Sequence, residues 1–479
     1  MKAYKVAIIG GGIVGACMFS QLARSGVSCV LLEADCDVAV GATKANSGIV
    51  HSGYDCEPGS YMAQFNVRGN EMFPGMCKRL GVKFFKCGTL TVADRTGLSE
   101  LERLKRRGET NGVTHLQVLN RDDILEIEPN IADHIEYALL ASTGGYVSPY
   151  LLCIALAEEG VVNGGEVKLN FCVNTISYEN GKYILSASDK SVQADYVVNC
   201  AGINATKINS MLNDTKFTYN LIKGEYMLLS RDTHDFVKRP IFPLPSDRGK
   251  GVLCTPTEHN LMFGPTARCT MIDDTAIDYP NLGYIKEHVL QTIKAPPFNK
   301  AIKLFAGVRV KSGFDFVVER SYKNPKYYYA IGICSPGLTS APAIAECLVK
   351  FMQEDGLKLE HIQAVKRKVP VVFSSLNEKQ QKALVKQNPA YAKIVCRCEN
   401  ISEGEIIDAL RSPIVPTSVD GIKRRVRATM GQCQGGFCMP HILKLMEREL
   451  KIPINNITQK GTGSEIILDE IKHGGIYDE

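Results

Sequence analysis

The sequence predicts an α/β protein of two or three domains. A dinucleotide-binding unit comes first, a largely antiparallel sheet is set into it, and a small cysteine-bearing domain comes last. Three observations carry the expectation. A glycine fingerprint stands between a strand-like and a helix-like run within residues 4–33. Residues 217–271 break into short β-rich runs. Towards the end, Cys396 and Cys398 form C-x-C, and Cys433 and Cys438 form C-x4-C. A chain of 479 residues also exceeds what one hydrophobic core serves.

Residues 6–9 are apolar and β-rich, and Gly10-x-Gly12-x-x-Gly15 follows directly. An apolar helical pattern over residues 13–24 stops at Gly26, and a second β-rich run, 27–32, ends in Glu33. Strand, glycine turn, helix, strand and acidic residue in this order make a Rossmann-like βαβ unit. In such a unit Gly10 serves the tight turn, Gly12 lets a pyrophosphate approach the backbone, and Gly15 lets helix and sheet close up. The helix N-terminus offers amide donors and partial positive charge to the phosphates. Glu33 stands where a ribose hydroxyl is held. FAD and NAD both suit the unit.

The next stretch, GATKANSGIVHSGYDCEPGS at residues 41–60, is dense in Gly, Ser, Thr and Asn. Here the chain resembles the FAD-dependent oxidoreductase superfamily that includes D-amino-acid oxidase, L-2-hydroxyglutarate dehydrogenase and flavin-linked glycerol-3-phosphate dehydrogenase. The resemblance rests on N-S-G-x-x-H-x-G, matched by Asn46, Ser47, Gly48, His51 and Gly53. It implies a glutathione-reductase-type FAD-binding domain with an inserted substrate domain of mixed, mainly antiparallel sheet. It implies cofactor contacts at Gly10, Gly12, Ile13, Val14, Gly15, Glu33, Ala34, Thr43, Asn46, Ser47, Gly48 and Ile49. His51 is the candidate proton acceptor, because a neutral imidazole is well poised to take a hydroxyl proton at about pH 7.

Further along, residues 88–93 read as a short strand and 98–107 as a charged helix, a region that relatives give to their substrate-domain sheet and lid. A helix is expected over 150–160 and one strand over 167–176, with Val173 where relatives bring a backbone group to the adenine. Residues 195–204 form a buried-strand run ending in Ala201 and Gly202, like the family's second glycine turn. Antiparallel strands are expected at 217–229, 241–244, 251–256 and 260–264. Gly224-Glu225-Tyr226 matches a G-E-Y segment of the hydroxyglutarate and glycerol-phosphate branches, which makes Tyr226, with Tyr54, a candidate to line the substrate. Ala306-Gly307-x-Arg309 is shared with branches whose substrates are anionic. The guanidinium fork of Arg309 suits a carboxylate or phosphate; an ion pair to Asp315 or Glu319 is the structural alternative. A strand over 327–333 and a helix over 341–352 enclose Gly332, Gly337, Leu338 and Thr339, which the resemblance places beside the flavin.

Residues 357–392 are lysine-rich and irregular. Beyond them, Ser402 and Glu405 make an S-x-x-E capping box at the start of a helix. The four late cysteines, with Gly431, Gly435 and Gly436 among them, resemble the [2Fe–2S] domain of the bacterioferritin-associated ferredoxin type. Four thiolates also hold zinc, so spacing alone leaves both metals open. The expected organisation is 1–85, 145–215 and 300–360 for FAD, 86–144 and 216–299 for substrate, 361–392 as linker, and 393–479 for the cluster domain and tail.

An apolar fraction of 45% and a charged fraction of 22% are those of a soluble globular protein. A net charge of +5 is too mild to argue for nucleic acid. Basic residues gather at 366–368 and 423–427; each run is expected as a solvated face, the second alternatively as a docking surface for an acidic partner. Outside the four named, the cysteines are scattered singly, mostly in apolar runs, as buried thiols in a reducing compartment would be. No signal-peptide pattern precedes the first strand and no apolar run reaches membrane-span length. The expectation is a cytoplasmic protein, with peripheral membrane attachment through a partner left open.

The function expected is an FAD-dependent dehydrogenase acting on a CH–OH group. A small anionic substrate, glycerol 3-phosphate or a 2-hydroxy acid such as L-2-hydroxyglutarate, docks on Arg309 and gives hydride to FAD. Electrons leave through the [2Fe–2S] cluster to a protein or quinone acceptor, a second flavoprotein subunit among the candidates. Glycerol-phosphate relatives carry an arginine where Asp55 stands, which speaks against simple transfer of that specificity. The alternatives are an amino-acid dehydrogenase of the same fold, an electron-transfer flavoprotein subunit, and a zinc-stapled structural protein.

Overall fold

The structure, a computed structural model, describes residues 1–246 and 249–468. It divides into two units: Met1–Ala34 with Val38–Arg367, and Asp35–Asp37 with Lys368–Glu479.

In the first unit, strand Lys2–Ile9 lies between Lys190–Asn199 and Cys29–Leu32, parallel to both, in an eight-stranded sheet. Both of its faces are covered, so the run is apolar on both, and Val6, Ala7 and Ile8 are fully buried. Each such aliphatic side chain contributes about 1.5–3 kcal/mol when taken out of water. Helix Ile13–Arg24 packs against helices Pro149–Val162 and Gly337–Glu354. Pro149–Val162 accordingly reads as apolar almost all round, with a buried run from Leu152 to Gly160.

A nine-stranded mixed sheet forms the other half of this unit. Strand Asn220–Leu229 pairs antiparallel with Ala301–Lys311 and with Leu261–Gly264. Ile241–Phe242 pairs in parallel with Thr89–Ala93, the one parallel junction described in this sheet. A second apolar core, with Leu90, Met227, Phe263 and Ile285, fills its covered face.

Four expectations need correction. Residues 167–176 are not one strand: Glu166–Lys168 pairs in parallel with residues 30–32, while Thr175–Glu179 pairs antiparallel with Lys182–Ala187. The chain must leave one neighbour before meeting the other, and residues 169–174 make that crossing. Residues 301–311, assigned to the cofactor domain, belong instead to the second sheet through their register with Asn220–Leu229. The irregular linker contains helix Glu378–Gln387, closed by a reciprocal capping box between Asn377 and Gln380. That helix buries no residue, so it lacks the apolar stripe that signals a helix in sequence. Helix Tyr61–Leu80 was not foreseen, since Gly69, Pro74 and Gly75 interrupt its pattern. Gly69 is where the helix crosses residue 339: a Cβ there would stand 2.0 Å from the Thr339 carbonyl oxygen.

The second unit packs helices Glu403–Leu410, Val419–Val426 and Met439–Leu450 on a short hairpin, Ile394–Cys396 with Ile401–Ser402. Its core gathers Ile406, Val419, Ile422, Ile442 and Met446. The capping box at Ser402 is present as expected. The basic run 423–427 is not a solvated face. Arg424 and Arg425 are buried and both donate to Asp37 at 2.7 Å, and Arg427 donates to the buried Glu399. In the first unit Arg367 is likewise buried, paired with Glu158 at 2.6 Å. No helix among the described residues is long and apolar enough to cross a membrane.

Candidate functional site

The glycine fingerprint folds into a tight cradle at the end of strand Lys2–Ile9. Gly10 has φ +105°, and a Cβ there would stand 2.5 Å from the Cys200 carbonyl oxygen. A Cβ on Gly15 would stand 2.0 Å from the Gly10 carbonyl oxygen, so only hydrogen fits at the helix–strand junction. Gly12 caps helix Ile13–Arg24 without a side chain. The Gly11 N–H donates to the Glu33 carboxylate at 2.6 Å, and the Ile13 N–H donates to Thr43 Oγ1 at 3.0 Å. Residues 10–15, Glu33 and Thr43 are thus drawn together, with Ala201 against Gly10 from the neighbouring strand end.

A second set of contacts joins the 46–51 loop to the start of the last long helix of the unit. Asn46 Oδ1 accepts from the Gly48 N–H at 2.8 Å, which fixes the turn. The His51 N–H donates to Thr339 Oγ1 at 2.9 Å, and Asn70 Nδ2 donates to the His51 carbonyl at 3.0 Å. The His51 ring is buried, 5.8 Å from that of Phe242.

Around this ring lies a cluster of polar groups. Lys250 Nζ is 3.3 Å from Nδ1 of His51, and Ser335 Oγ is 3.3 Å from Nε2. Lys250 also pairs with Asp55 at 2.7 Å. Burial, with the Lys250 ammonium beside it, pushes the imidazole down to about 3 against the opposing pull of Asp55. Burial pushes Asp55 up, but Lys250 and His51 outweigh it and hold its carboxyl below the usual range. His51 is therefore neutral near neutral pH. An ammonium has only donors, so Nδ1 carries the lone pair that faces Lys250, and Nε2 carries the proton.

Arg309 lies on strand Ala301–Lys311, opposite Ile222 in the register with Asn220–Leu229. It makes no ion pair among the described residues. Asp315 instead accepts from the Tyr61 and Met62 N–H groups, and Glu319 pairs with Lys216. Burial pushes the Tyr226 hydroxyl up, against the influence of Arg309 and of the Ser47 hydroxyl beside it. Cys334 is raised by burial, against the pull of Arg309, Lys311 and Lys250.

In the second unit the four late cysteines stand as two thiol pairs. Cys396 meets Cys438, and Cys398 meets Cys433. The Cys438 contact brings the Cys396 thiol down to about 6. The Phe437 N–H donates to the Cys433 sulfur and holds that thiol below its usual range. Two thiol pairs together make the four-thiolate donor set that a [2Fe–2S] cluster takes.

Residues 5–351 match the DAO family, described as FAD dependent oxidoreductase. The chain belongs to the FAD-dependent oxidoreductase family. Residues 394–448 match the BFD-like [2Fe-2S] binding domain, so this oxidoreductase carries both an FAD-binding fold and a [2Fe–2S] domain. It is 39% identical over 477 residues to a glycerol 3-phosphate dehydrogenase of Caloramator mitchellensis, covering 98% of this chain and 99% of that one. It is 31% identical to an L-2-hydroxyglutarate dehydrogenase of Escherichia coli, over 50% of this chain and 58% of that one. Among solved structures, the dithionite-reduced L-alpha-glycerophosphate oxidase of Mycoplasma pneumoniae with FAD bound superposes with a TM-score of 0.73. It is 26% identical and covers 78% of this chain and 100% of that chain.

The cradle fits the family's cofactor. Beyond Ile13, whose N–H goes to Thr43, the helix start offers its remaining first-turn amides to a pyrophosphate, and a Cβ on Gly12 would meet only Thr43 Oγ1, at 3.3 Å. Of the residues expected to line substrate, His51 stands in the polar cluster, while Arg309 and Tyr226 lie on the paired strands Ala301–Lys311 and Asn220–Leu229. Tyr54 does not join them: its hydroxyl is bonded to Thr91 Oγ1 at 2.7 Å, and its ring packs in a core with Leu101, Leu104 and Leu139. Val173 lies buried in the crossing segment beside Phe171. Lys250 and Ser335 are the members of the cluster that sequence reasoning did not place in the site, and Asp55 entered only as the position where glycerol-phosphate relatives carry arginine. Lys250 stands between Gly249 and Gly251, ahead of strand Leu253–Pro256, where a basic residue reads as solvated. Its partner Asp55 was the only signal: an acidic residue in a buried cofactor loop needs a cation.

Proposed function

We propose that this oxidoreductase is a glycerol 3-phosphate dehydrogenase whose electrons leave through its own [2Fe–2S] domain. The observation that carries the reading is the match to a glycerol 3-phosphate dehydrogenase along both domains. The opposing pull that Arg309, Lys311 and Lys250 all exert on the Cys334 thiol supports it, because a phosphate dianion needs more than one cation, at least one with a planar fork. FAD, when bound, accepts a hydride from the substrate carbon. The chain's residues do the rest. Arg309 binds and orients the phosphate. The substrate hydroxyl donates to Nδ1 of His51, displacing Lys250 towards Asp55, and His51 takes the proton as the carbonyl forms. Thr339 and Asn70 hold the imidazole in place through its backbone. Tyr226 and Ser47 close the wall beside Arg309.

The partial match to L-2-hydroxyglutarate dehydrogenases favours a dicarboxylate as the second reading. Anaerobic visible spectra distinguish the two. Bleaching of the flavin bands by glycerol 3-phosphate alone is the expected result. Bleaching by L-2-hydroxyglutarate alone would replace the substrate, and bleaching by neither would return the amino-acid and electron-transfer alternatives.

A further inference from the structure

The four thiols are not equally accessible. Cys396 and Cys438 are each 1% exposed, whereas Cys398 is exposed and Cys433 half-buried. A cluster held by all four has one inner edge and one edge at the surface. At the outer edge stands Phe437, 81% exposed, whose own N–H donates to the Cys433 sulfur. Its ring is thus tethered one residue from a ligand and fully presented to solvent. The residues around it, Gln432, Gln434 and Gly436, carry no charge.

Exposed cations stand near the ligands along the chain. Arg397, between the two first cysteines, is exposed and makes no ion pair among the described residues. Helix Met439–Leu450, which starts at Cys438, carries His441, Lys444 and Arg448 beside a cleft of about 220 Å³ that Lys393 also lines. Glu403 is the acidic residue of that cleft, and Lys393 and Arg448 share it at 2.7 and 3.0 Å. Lys444 has no acidic partner among the described residues. The run 423–427 contributes little, since its charges are spent on Asp37 and Glu399.

We propose that the face formed by Phe437, Arg397 and Lys444 is the electron-exit surface, and that it docks a small acidic redox protein. One exposed aromatic amid neutral residues gives a short contact for electron passage, and the cationic flank steers a negatively charged partner to it. The apolar area of a single ring is too small to insert into a bilayer, but it suits the small, transient interfaces of electron-transfer pairs. In each docking event the reduced cluster loses one electron and a flavin or iron–sulfur group of the partner gains one. Two events remove the two electrons that one substrate delivers, its hydroxyl proton having gone to the protein. The proposal rests on the cluster half of the function proposed above, not on the identity of the substrate.

The test uses full-length holoenzyme reduced with dithionite, so that the substrate plays no part. Reoxidation of the cluster is followed by stopped flow after mixing with an acidic flavodoxin, with basic cytochrome c, or with a short-chain neutral quinone. Wild-type protein is expected to react with the flavodoxin at a second-order rate that falls steeply as ionic strength rises. Arg397→Glu with Lys444→Glu should slow that reaction about 10–1000-fold and remove the salt dependence. Phe437→Ser should slow it at every ionic strength. Neither change should alter the cluster's visible spectrum or the rate with the quinone. Unchanged flavodoxin kinetics in the charge-reversed protein, or a rate with cytochrome c above that with flavodoxin, overturns the proposal. So does sedimentation of the wild-type protein with vesicles of anionic phospholipid that the charge reversal abolishes, since that assigns the face to a membrane. Failure of glycerol 3-phosphate to bleach the flavin would refute the substrate reading while leaving these rates to be judged alone.

Discussion

Replacing Lys250 with methionine should move the acid limb of flavin reduction into a measurable range. At 3.3 Å from Nδ1, a unit positive charge opposes imidazole protonation by about 5 kcal/mol at an effective dielectric constant of about 20. That is a ceiling of roughly 3–4 pH units at 1.36 kcal/mol each. Asp55, 2.7 Å from the ammonium, already cancels part of the field, and Lys250 is itself 24% exposed. A net rise of about two units is therefore expected for His51. From a starting value pushed down to about 3, the variant should titrate near about 5. The sign follows from the role: the neutral imidazole accepts the proton, so the rate falls as pH drops through this value. The assay is anaerobic stopped-flow bleaching of the flavin at saturating glycerol 3-phosphate, from about pH 4.5 to 8. Protonation of the substrate phosphate, near about pH 6, affects wild type and variant alike and drops out of the comparison. Lys250→Arg keeps the charge and should keep the wild-type profile. A wild-type limb near the ordinary histidine value of about 6.5, or coincident limbs in wild type and Lys250→Met, would refute the reasoning.

Three other substitutions probe the remaining parts. Arg309→Leu removes charge-assisted bonds of about 1.5–3 kcal/mol in all and should raise KM about 10–100-fold, with Arg309→Lys in between; steady-state kinetics with an artificial acceptor reads both. Tyr54→Phe deletes the hydroxyl that meets Thr91 and Thr89, so thermal unfolding should report a loss of about 1 kcal/mol and flavin reduction should stay within about two-fold. A much larger loss of activity would return Tyr54 to the site. Gly15→Ala would place its Cβ 2.0 Å from the Gly10 carbonyl oxygen, and the purified protein should lack flavin absorbance.

The cofactor cradle was legible because each part has a local cause. Gly10, Gly12 and Gly15 answer to backbone approach, and the apolar helix that follows answers to burial on both sides. Helix Ile13–Arg24 was therefore expected with its observed bounds. The capping box at Ser402 was legible for the same reason, since donor and acceptor lie three residues apart. The Lys250–Asp55–His51 cluster was not legible, because its members stand 199 residues apart from Lys250 to His51 and no pattern along the chain couples them. The same holds for Arg424 and Arg425, whose shared carboxylate at Asp37 lies nearly 400 residues away. Charge runs read as solvated by default, and only tertiary structure reveals a buried counter-ion. Tyr54 failed in the opposite way: its position in a matched loop said nothing about the direction of its hydroxyl.

The crossing of Gly69 against Thr339 fixes the backbone that carries His51. With no side chain between them, the two backbones meet, and Thr339 in turn holds the His51 amide. The imidazole therefore rides on a body made of two long helices and does not adjust to the molecule it serves. Lys250 rides on the segment between strands Ile241–Phe242 and Leu253–Pro256, flanked by Gly249 and Gly251. The proton acceptor and the cation that faces it are thus mechanically separate components, one anchored and one interchangeable. Exchanging that segment for one of another length or charge would redraw what the pocket admits while leaving the base where it is, a division of labour that lets one scaffold serve different hydroxylated anions.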